Sequence, residues 1–433
     1  MSAVAQLKQT ALADRLAVLE SPAGGAWANE ARADARARLE AMGLPAPRDE
    51  YWRFTRPASL NAPVPVPAAI FDHGCEAPVF GAVDRLTIVF VDGVFDPDQS
   101  DPLEMAGIEI ERLADAAGKD IHWVRELYGK LEARGQAPVE RPFAALNTAF
   151  AADGVVIRVT GPAEKPVNLV YRHENENSDA MLHHVVKLEA GADLTLLENG
   201  PAAARFNKVL EVEVADGAAF HHVRTQGRDH ERQAVTHVFA RLGAESIFKS
   251  FTLTVNGRLT RNECVVEMKG DNAVAHIAGA AMGDGSDDAF HHDDTVFVTH
   301  DAENCESRQV FKKVLRNGAV GAFQGKILVK PGAQKTDGYQ KSQSLLLDDD
   351  STFLAKPELE IYADDVACSH GSTSGAIDEE AMFYLRSRGV PELIATDLLV
   401  LAFLADAIAE IENPAIADDI TGRLDAWLQR RRS

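Results

Sequence analysis

Apolar residues recur near a 3.6-residue spacing at both ends of the chain and at short strand-like intervals through its middle. Residues 4–20 and 26–42 combine Ala, Leu, Arg and Glu with a helical apolar stripe, and Gly43 followed by Pro45 ends the second helix. After an aromatic cluster, Tyr51-Trp52-Arg53-Phe54, and a Pro-rich connector over 57–67, residues 86–91 read as a strand ending in the turn Asp92-Gly93. A further helix is predicted over 121–134. From Val155 the texture changes to short β-branched runs at 155–159, 167–171, 185–188 and 209–214, and helical periodicity disappears.

Within this stretch a turn signal recurs around Gly191, Gly217, Gly243 and Gly270, at intervals of 26, 26 and 27 residues. A further copy at Asn317-Gly318-Ala319 lies 48 residues beyond Gly270, which reads as two periods with one signal missing. A fixed period in the twenties with strands and no helices is what a β-solenoid needs, because one coil cannot bury its own inner face and must stack on a neighbour. An antiparallel sandwich with evenly spaced hairpins shares the spacing. The repeated turn chemistry favours the solenoid, so the chain is read as mainly β with a parallel β-helix core. Helices return after Gly375: Asp378 is an N-cap candidate, Gly389 a stop, 391–411 a strongly apolar helix, and Pro414 breaks it before an amphipathic segment over 416–430. Three parts are expected: a mostly helical 1–154 with a short β element, the solenoid 155–375, and a helical 376–433.

Composition narrows the function. A chain of 433 residues, 46% hydrophobic and 25% charged, has ordinary globular values and room for two or three folding units. Its net charge of −22 repels phosphate backbones and anionic lipid surfaces, which argues against general nucleic-acid or membrane binding. The longest apolar run, 398–405, is far short of the roughly 20 residues that span a bilayer, and the first twenty residues hold no apolar signal core, so a cytoplasmic protein is expected. Four cysteines, at 75, 264, 305 and 368, form no C-x-x-C pair, so any metal site must be assembled from distant segments.

Few motifs survive inspection. Gly325-Lys326 ends like a phosphate loop, but Val320 stands where the first Gly is needed and Ile327 where Ser or Thr would bind magnesium, so this chain binds no nucleotide by that route. The acidic stretch 284–294 lacks the sixth-position Gly and terminal Glu of a calcium loop. His291, His292, Asp293, Asp294, His300, Asp301 and Cys305 are the densest set of ligand-type residues. Adjacent strand residues point to opposite faces, so these are read as polar side chains on the outer wall of the solenoid, as are His183-His184 and His221-His222. Cys368 and His370 differ: two apart on an extended segment, they project from one face and place a thiol beside an imidazole. Two ligands do not close a metal site, so this pair is read either as transient ligands completed from elsewhere or as a buried Cys next to a surface His.

The segment from Lys356-Pro357-Glu358-Leu359-Glu360 through Cys368-Ser369-His370-Gly371 to Phe383-Tyr384-Leu385-Arg386-Ser387-Arg388-Gly389 resembles the SufB/SufD family, scaffold subunits of the Suf iron–sulfur assembly machinery. Phe323-Gln324-Gly325-Lys326-Ile327, Lys330-Pro331-Gly332, Ala145-Leu146-Asn147-Thr148-Ala149-Phe150 and Val89-Phe90-Val91-Asp92-Gly93 extend the likeness over most of the chain from about residue 85. The resemblance implies a right-handed parallel β-helix between helical ends, pairing with a SufB-type paralogue, and a C-terminal dock for a SufC-type ATPase. It also implies that Cys368 and His370 face the paralogue as labile ligands of iron or a nascent iron–sulfur cluster. Where SufB-like sequences carry a Cys before Ser-Leu-Leu this chain has Ser342-Gln343-Ser344-Leu345-Leu346, and where they carry His-Glu it has His370-Gly371. Those departures are similar to the SufD half of the pair.

The resulting expectation is a non-enzymatic scaffold, with ATP hydrolysis in a partner, Leu399 and Phe403 on the docking face of the 391–411 helix, and a homodimer when isolated. A solenoid carbohydrate-active enzyme, which needs charged catalytic residues in an open groove, and a purely structural solenoid are the alternatives.

Overall fold

The computed structural model describes residues 3–70, 77–227, 231–286 and 289–430; Cys75 and part of the 284–294 loop lie outside these. From Val155 on, successive strands alternate between two ten-stranded sheets, so neighbours within a sheet are one coil apart and pair in parallel. Sheet 1 runs from Val94–Asp96 and Leu86–Val91 through Val167–Arg172 to the terminal strand Val366–Gly375. Sheet 2 runs from Glu104–Met105 and Ile108–Arg112 through Val155–Val159 to Thr352–Ile361. The expected parallel β-solenoid is therefore present, with about 7 turns and helices at both ends.

The coil length is not constant. Asp193 lies opposite Ala219, 26 residues on, whereas Val274 lies opposite Glu306, 32 residues on. The turns at Gly191, Gly217, Gly243 and Gly270 all lead from sheet 2 into sheet 1. Gly318 does not belong to that series. It joins Glu306–Arg316 of sheet 1 to Val320–Val329 of sheet 2, on the opposite corner, and the matching corner after Gly270 is Asp301-Ala302-Glu303-Asn304, where Asn304 takes the positive φ.

Strands alternate between the solenoid interior and an outer face, and up to the last coil helices cover much of that outer face. Sheet 2 is covered by Ala3–Leu16, Ala26–Met42 and Pro142–Phe150, with Leu39, Trp52, Phe143 and Phe150 packed on Val235 and Leu259. Sheet 1 is covered by Glu392–Ile408 and Pro414–Arg430, whose Val400, Leu404, Ile420 and Leu424 pack on Phe251, Ala278 and Val310. The predicted helix over 121–134 is broken into a 3-10 turn, Trp123–Glu126, and a short helix, Lys130–Arg134. Gly129 adopts φ +70° between them, and the buried Glu211 carboxylate accepts from the amides of Gly129 and Glu132, replacing the missing helical turn. The first helix ends at Leu16 rather than at residue 20, and the last begins at Pro414, which occupies a first helical turn without losing a bond. Asp378 caps Glu379–Ser387 through the amides of Glu380 and Ala381, as its sequence position indicated.

Candidate functional site

The two ends of the solenoid differ. At the first coil the sheets end in short antiparallel strands: Val94–Asp96 pairs with Leu86–Val91, and Glu104–Met105 with Ile108–Arg112, which itself runs antiparallel to Val155–Val159. At the other end, Thr352–Ile361 and Val366–Gly375 are the outermost strands of their sheets, and no element of this chain pairs beyond them among the described residues.

Cys368 and His370 lie on that last strand. Cys368 is half-buried and packs with Ile327, Val329 and Leu359 inside the final coil, where Gly338 on the neighbouring strand leaves room for its sulfur: a Cβ there would sit 3.1 Å from Sγ. Burial pushes the Cys368 thiol up, and Asp337 adds to it against a backbone hydrogen bond from Gly338. His370, opposite Gln340 in register, is exposed and shares the inner face with Cys368. Beyond it Ser372 and Ser374 meet Ser342 and Ser344 at 2.9 and 3.0 Å. Thiol, imidazole and two hydroxyls thus form one line along the inner face of a strand with one open edge.

The other ligand-type residues are not on an exposed outer wall. His291 is held by Thr55 at 2.8 Å on the outer face of sheet 2, beneath the Tyr51-Trp52 segment, and Asp293 accepts from the same hydroxyl at 2.6 Å. His292 and Asp294 point inward, where the Lys313 ammonium meets them at 2.9 and 2.7 Å. His300 is buried against Ser307, and the Cys305 thiol donates to the carbonyl of Gly270 at the corner. His183 and His184 are fully buried on opposite faces. The outer-wall reading fails because helices, not solvent, cover sheet 2. Among the described residues, no three or more His, Cys, Asp or Glu side chains converge as a metal site.

Sequence reasoning missed what these inward residues build. The interior is divided lengthwise. At the corner from sheet 2 to sheet 1 it is apolar, with Leu188, Val214, Phe220, Leu242, Phe248 and Met268. Toward the opposite corner it is polar: Tyr171, Lys208 and His222 all hydrogen-bond Glu198, and Arg224, Thr236, Asn262, Asp294 and Lys313 continue the lane. Lys313 pairs in register with Ser344, which reaches Ser374 on the open strand. Burial works to raise Glu198, but the Lys208 ammonium and the His222 hydrogen bond hold it well below the carboxylate range. Burial in turn pushes Lys208 down to about 8. The signal was the shared parity of Phe220, His222, Arg224 and Gln226 with the apolar alternation.

Leu399 is half-buried on Glu392–Ile408, and Phe403 packs against sheet 1 with Lys312 Nζ 4.6 Å from its ring centre. The solvent-facing apolar side chains of this region are instead Phe383, 75% exposed, Leu393, 62%, and their neighbours Tyr384, Ile394 and Leu398.

A family described as SUF system FeS cluster assembly, SufBD core domain, matches residues 171–403, more than half of the chain and all of the open end. The chain belongs to the SufBD core family. The iron–sulfur cluster assembly protein SufD of Escherichia coli is 28% identical over 407 residues, covering 89% of this chain and 90% of that protein. SufD of Bacillus subtilis is 27% identical over 283 residues, 63% of each chain, and the chloroplastic protein ABCI7 of Arabidopsis thaliana is 28% identical over 249 residues, 56% of this chain and 52% of its own. The SufBD core begins at Tyr171, the first residue of the polar lane, and includes the terminal strand. No described helix is long and apolar enough to cross a membrane.

Proposed function

We propose that this chain is the SufD-type, non-enzymatic scaffold of an iron–sulfur assembly complex in the cytoplasm. The observation that carries the reading is the placement of Cys368 and His370 on the inner face of a terminal strand whose outer edge is open. A strand edge of that kind accepts a second sheet, and a SufB-type paralogue continuing the coil would bring its own ligands over a thiol and an imidazole, which two residues alone could not close into a site. Iron or a nascent cluster is then cargo held transiently between subunits. The exposed Phe383, Tyr384, Leu393 and Leu398 support docking of a SufC-type ATPase on the C-terminal helices, with Leu399 and Phe403 positioning the helix that carries part of this surface. Expressed alone, the chain pairs with a second copy through the same open end.

The test is anaerobic purification of the complex with His370→Ala, followed by iron and sulfide quantification. His370 is exposed on the strand, so the variant should fold and assemble normally and retain less iron. Wild-type iron in a correctly assembled variant complex would show that the ligand assignment is wrong. Leu393→Asp should leave circular dichroism unchanged and weaken ATPase capture.

A further inference from the structure

Along the inner face of sheet 1, Ile277, Gln309, Gln340 and His370 stand opposite one another in register on four successive coils. Two fully buried carboxamides therefore lie behind the imidazole. Gln340 is seated by a glycine across the interior. At Gly325 on Val320–Val329 a Cβ would come 2.3 Å from Gln340 Nε2, so a side chain there would displace the amide. The amide is also oriented, because its Nε2 donates to Gln309 Oε1 at 2.7 Å, on the coil behind. Its oxygen is left on the other arm, buried, and accepts from no described group. A buried acceptor left open costs free energy unless something donates to it.

The last coil offers Gln340 one good donor. Ser372 and Ser374 are engaged with Ser342 and Ser344, and Cys368 packs among Ile327, Val329 and Leu359. Across the interior, Ala355, Pro357 and Leu359 stand in register with Phe323, Gly325 and Ile327 and carry no polar side-chain atom. His370 is the register partner of Gln340, and a neutral imidazole always has one ring N–H to give.

We propose that Gln340 is a positioning residue for His370. When a second body covers the open end and water no longer competes, Gln340 Oε1 accepts the Nδ1–H of the imidazole. That bond holds the ring inward and the proton on Nδ1, so Nε2 is presented bare. Ligating imidazoles generally have their other N–H held by a carbonyl or carboxylate, which fixes tautomer and ring direction. The roles then follow in order: Gly325 makes room, Gln309 orients the amide, and Gln340 sets the imidazole. This inference rests on the reading of His370 as an iron ligand.

The test is the tautomer of His370, read by magic-angle-spinning NMR on the full chain labelled with ¹⁵N-histidine, alone and in its assembled complex at pH 8. The His370 signals are assigned by their loss in His370→Ala. With the open end covered, Nδ1 should be protonated and Nε2 bare. Gln340→Leu should move the proton to Nε2 with circular dichroism and assembly unchanged, and weaken iron binding by about 10- to 100-fold. Gln340→Glu keeps an acceptor at the same reach and should retain the Nδ1 proton. The proposal is overturned if His370 carries its proton on Nδ1 in neither form, or if folded Gln340→Leu leaves the tautomer unchanged. Should Gln340→Leu fail to fold, the wild-type tautomer decides the matter by itself. Iron retained by the His370→Ala complex would refute the ligand reading separately, because the tautomer is measured without metal.

Discussion

Acid should unfold this protein well before its carboxylates titrate, because several imidazoles are buried neutral. Burial pushes His184 down to about 3, and His237 and His300 to about 4, from an ordinary 6.5. In the unfolded chain each binds a proton as the pH falls through about 6.5, whereas the folded chain holds them unprotonated until about 4 or below. The unfolded state therefore carries the extra protons in that window, and stability is lost as the pH falls through it. Each group contributes about 1.4 kcal/mol per pH unit, so at pH 5 each costs about 2 kcal/mol and the three together about 6. That is comparable to the whole stability of an ordinary domain. The paired carboxylates, Glu263 at about 2 among them, add to the loss only below about pH 4.5. Urea midpoints followed by circular dichroism at pH 7.5, 6.0 and 5.0, at constant ionic strength, should fall steeply. His300→Gln keeps a hydrogen-bonding partner for Ser307 and should flatten the slope by about 1.4 kcal/mol per pH unit. A midpoint that does not move between pH 7 and 5, or a variant with the wild-type slope, refutes the reasoning.

Three other outcomes are expected. Lys208→Met strips the ammonium from the fully buried Glu198 and should cost about 3–5 kcal/mol, whereas Glu198→Leu with Lys208→Met should recover most of it in thermal melts. Gly227, at φ +90°, would place a Cβ 2.0 Å from the carbonyl oxygen of Val255, so Gly227→Ala should lower stability well beyond Gly191→Ala, where φ is +69° but nothing lies within 4 Å and the cost is about 1–2 kcal/mol. Tyr51→Phe removes the 2.6 Å hydrogen bond to Glu358, worth about 1 kcal/mol, and should speed amide exchange along Thr352–Ile361; unchanged exchange there would mean that the Tyr51 segment does not hold the last coil.

Much of the fold was legible because a stacked coil repeats its turn chemistry, and Gly191, Gly217, Gly243 and Gly270 mark one corner faithfully. The rhythm failed at Gly318 because two corners use similar turns, and sequence spacing does not say which corner a glycine occupies. Cys368 and His370 were placed on one face by simple strand alternation, and they are on one face. The histidine pairs were misread for an equally physical reason. Polar residues in a strand were assigned to solvent, whereas here both faces of sheet 2 are covered and the solenoid interior tolerates charge by pairing it, as Lys208 does with Glu198. Nothing in the apolar run of the 391–411 segment told which of its residues would face sheet 1, so Leu399 and Phe403 were chosen by their four-residue spacing and Leu393 was overlooked.

The solenoid also tapers. Strands of sheet 1 lengthen from six residues at Val167–Arg172 to seven, eight, nine and eleven by Val274–Asp284, and keep ten or eleven to the open end. Taper gives the stack a polarity. A body that continues the hydrogen-bonded coil must match the girth of the end it joins, and at the narrow end the outermost strands are antiparallel and only three and two residues long. Broad end can meet broad end, but broad cannot meet narrow, so the head-to-tail contact that would propagate into a filament has no fitting surface. In the proposed pairing, growth by this contact would stop at two bodies, and the line of Cys368, His370, Ser372 and Ser374 would be enclosed at the seam rather than repeated along a fibre.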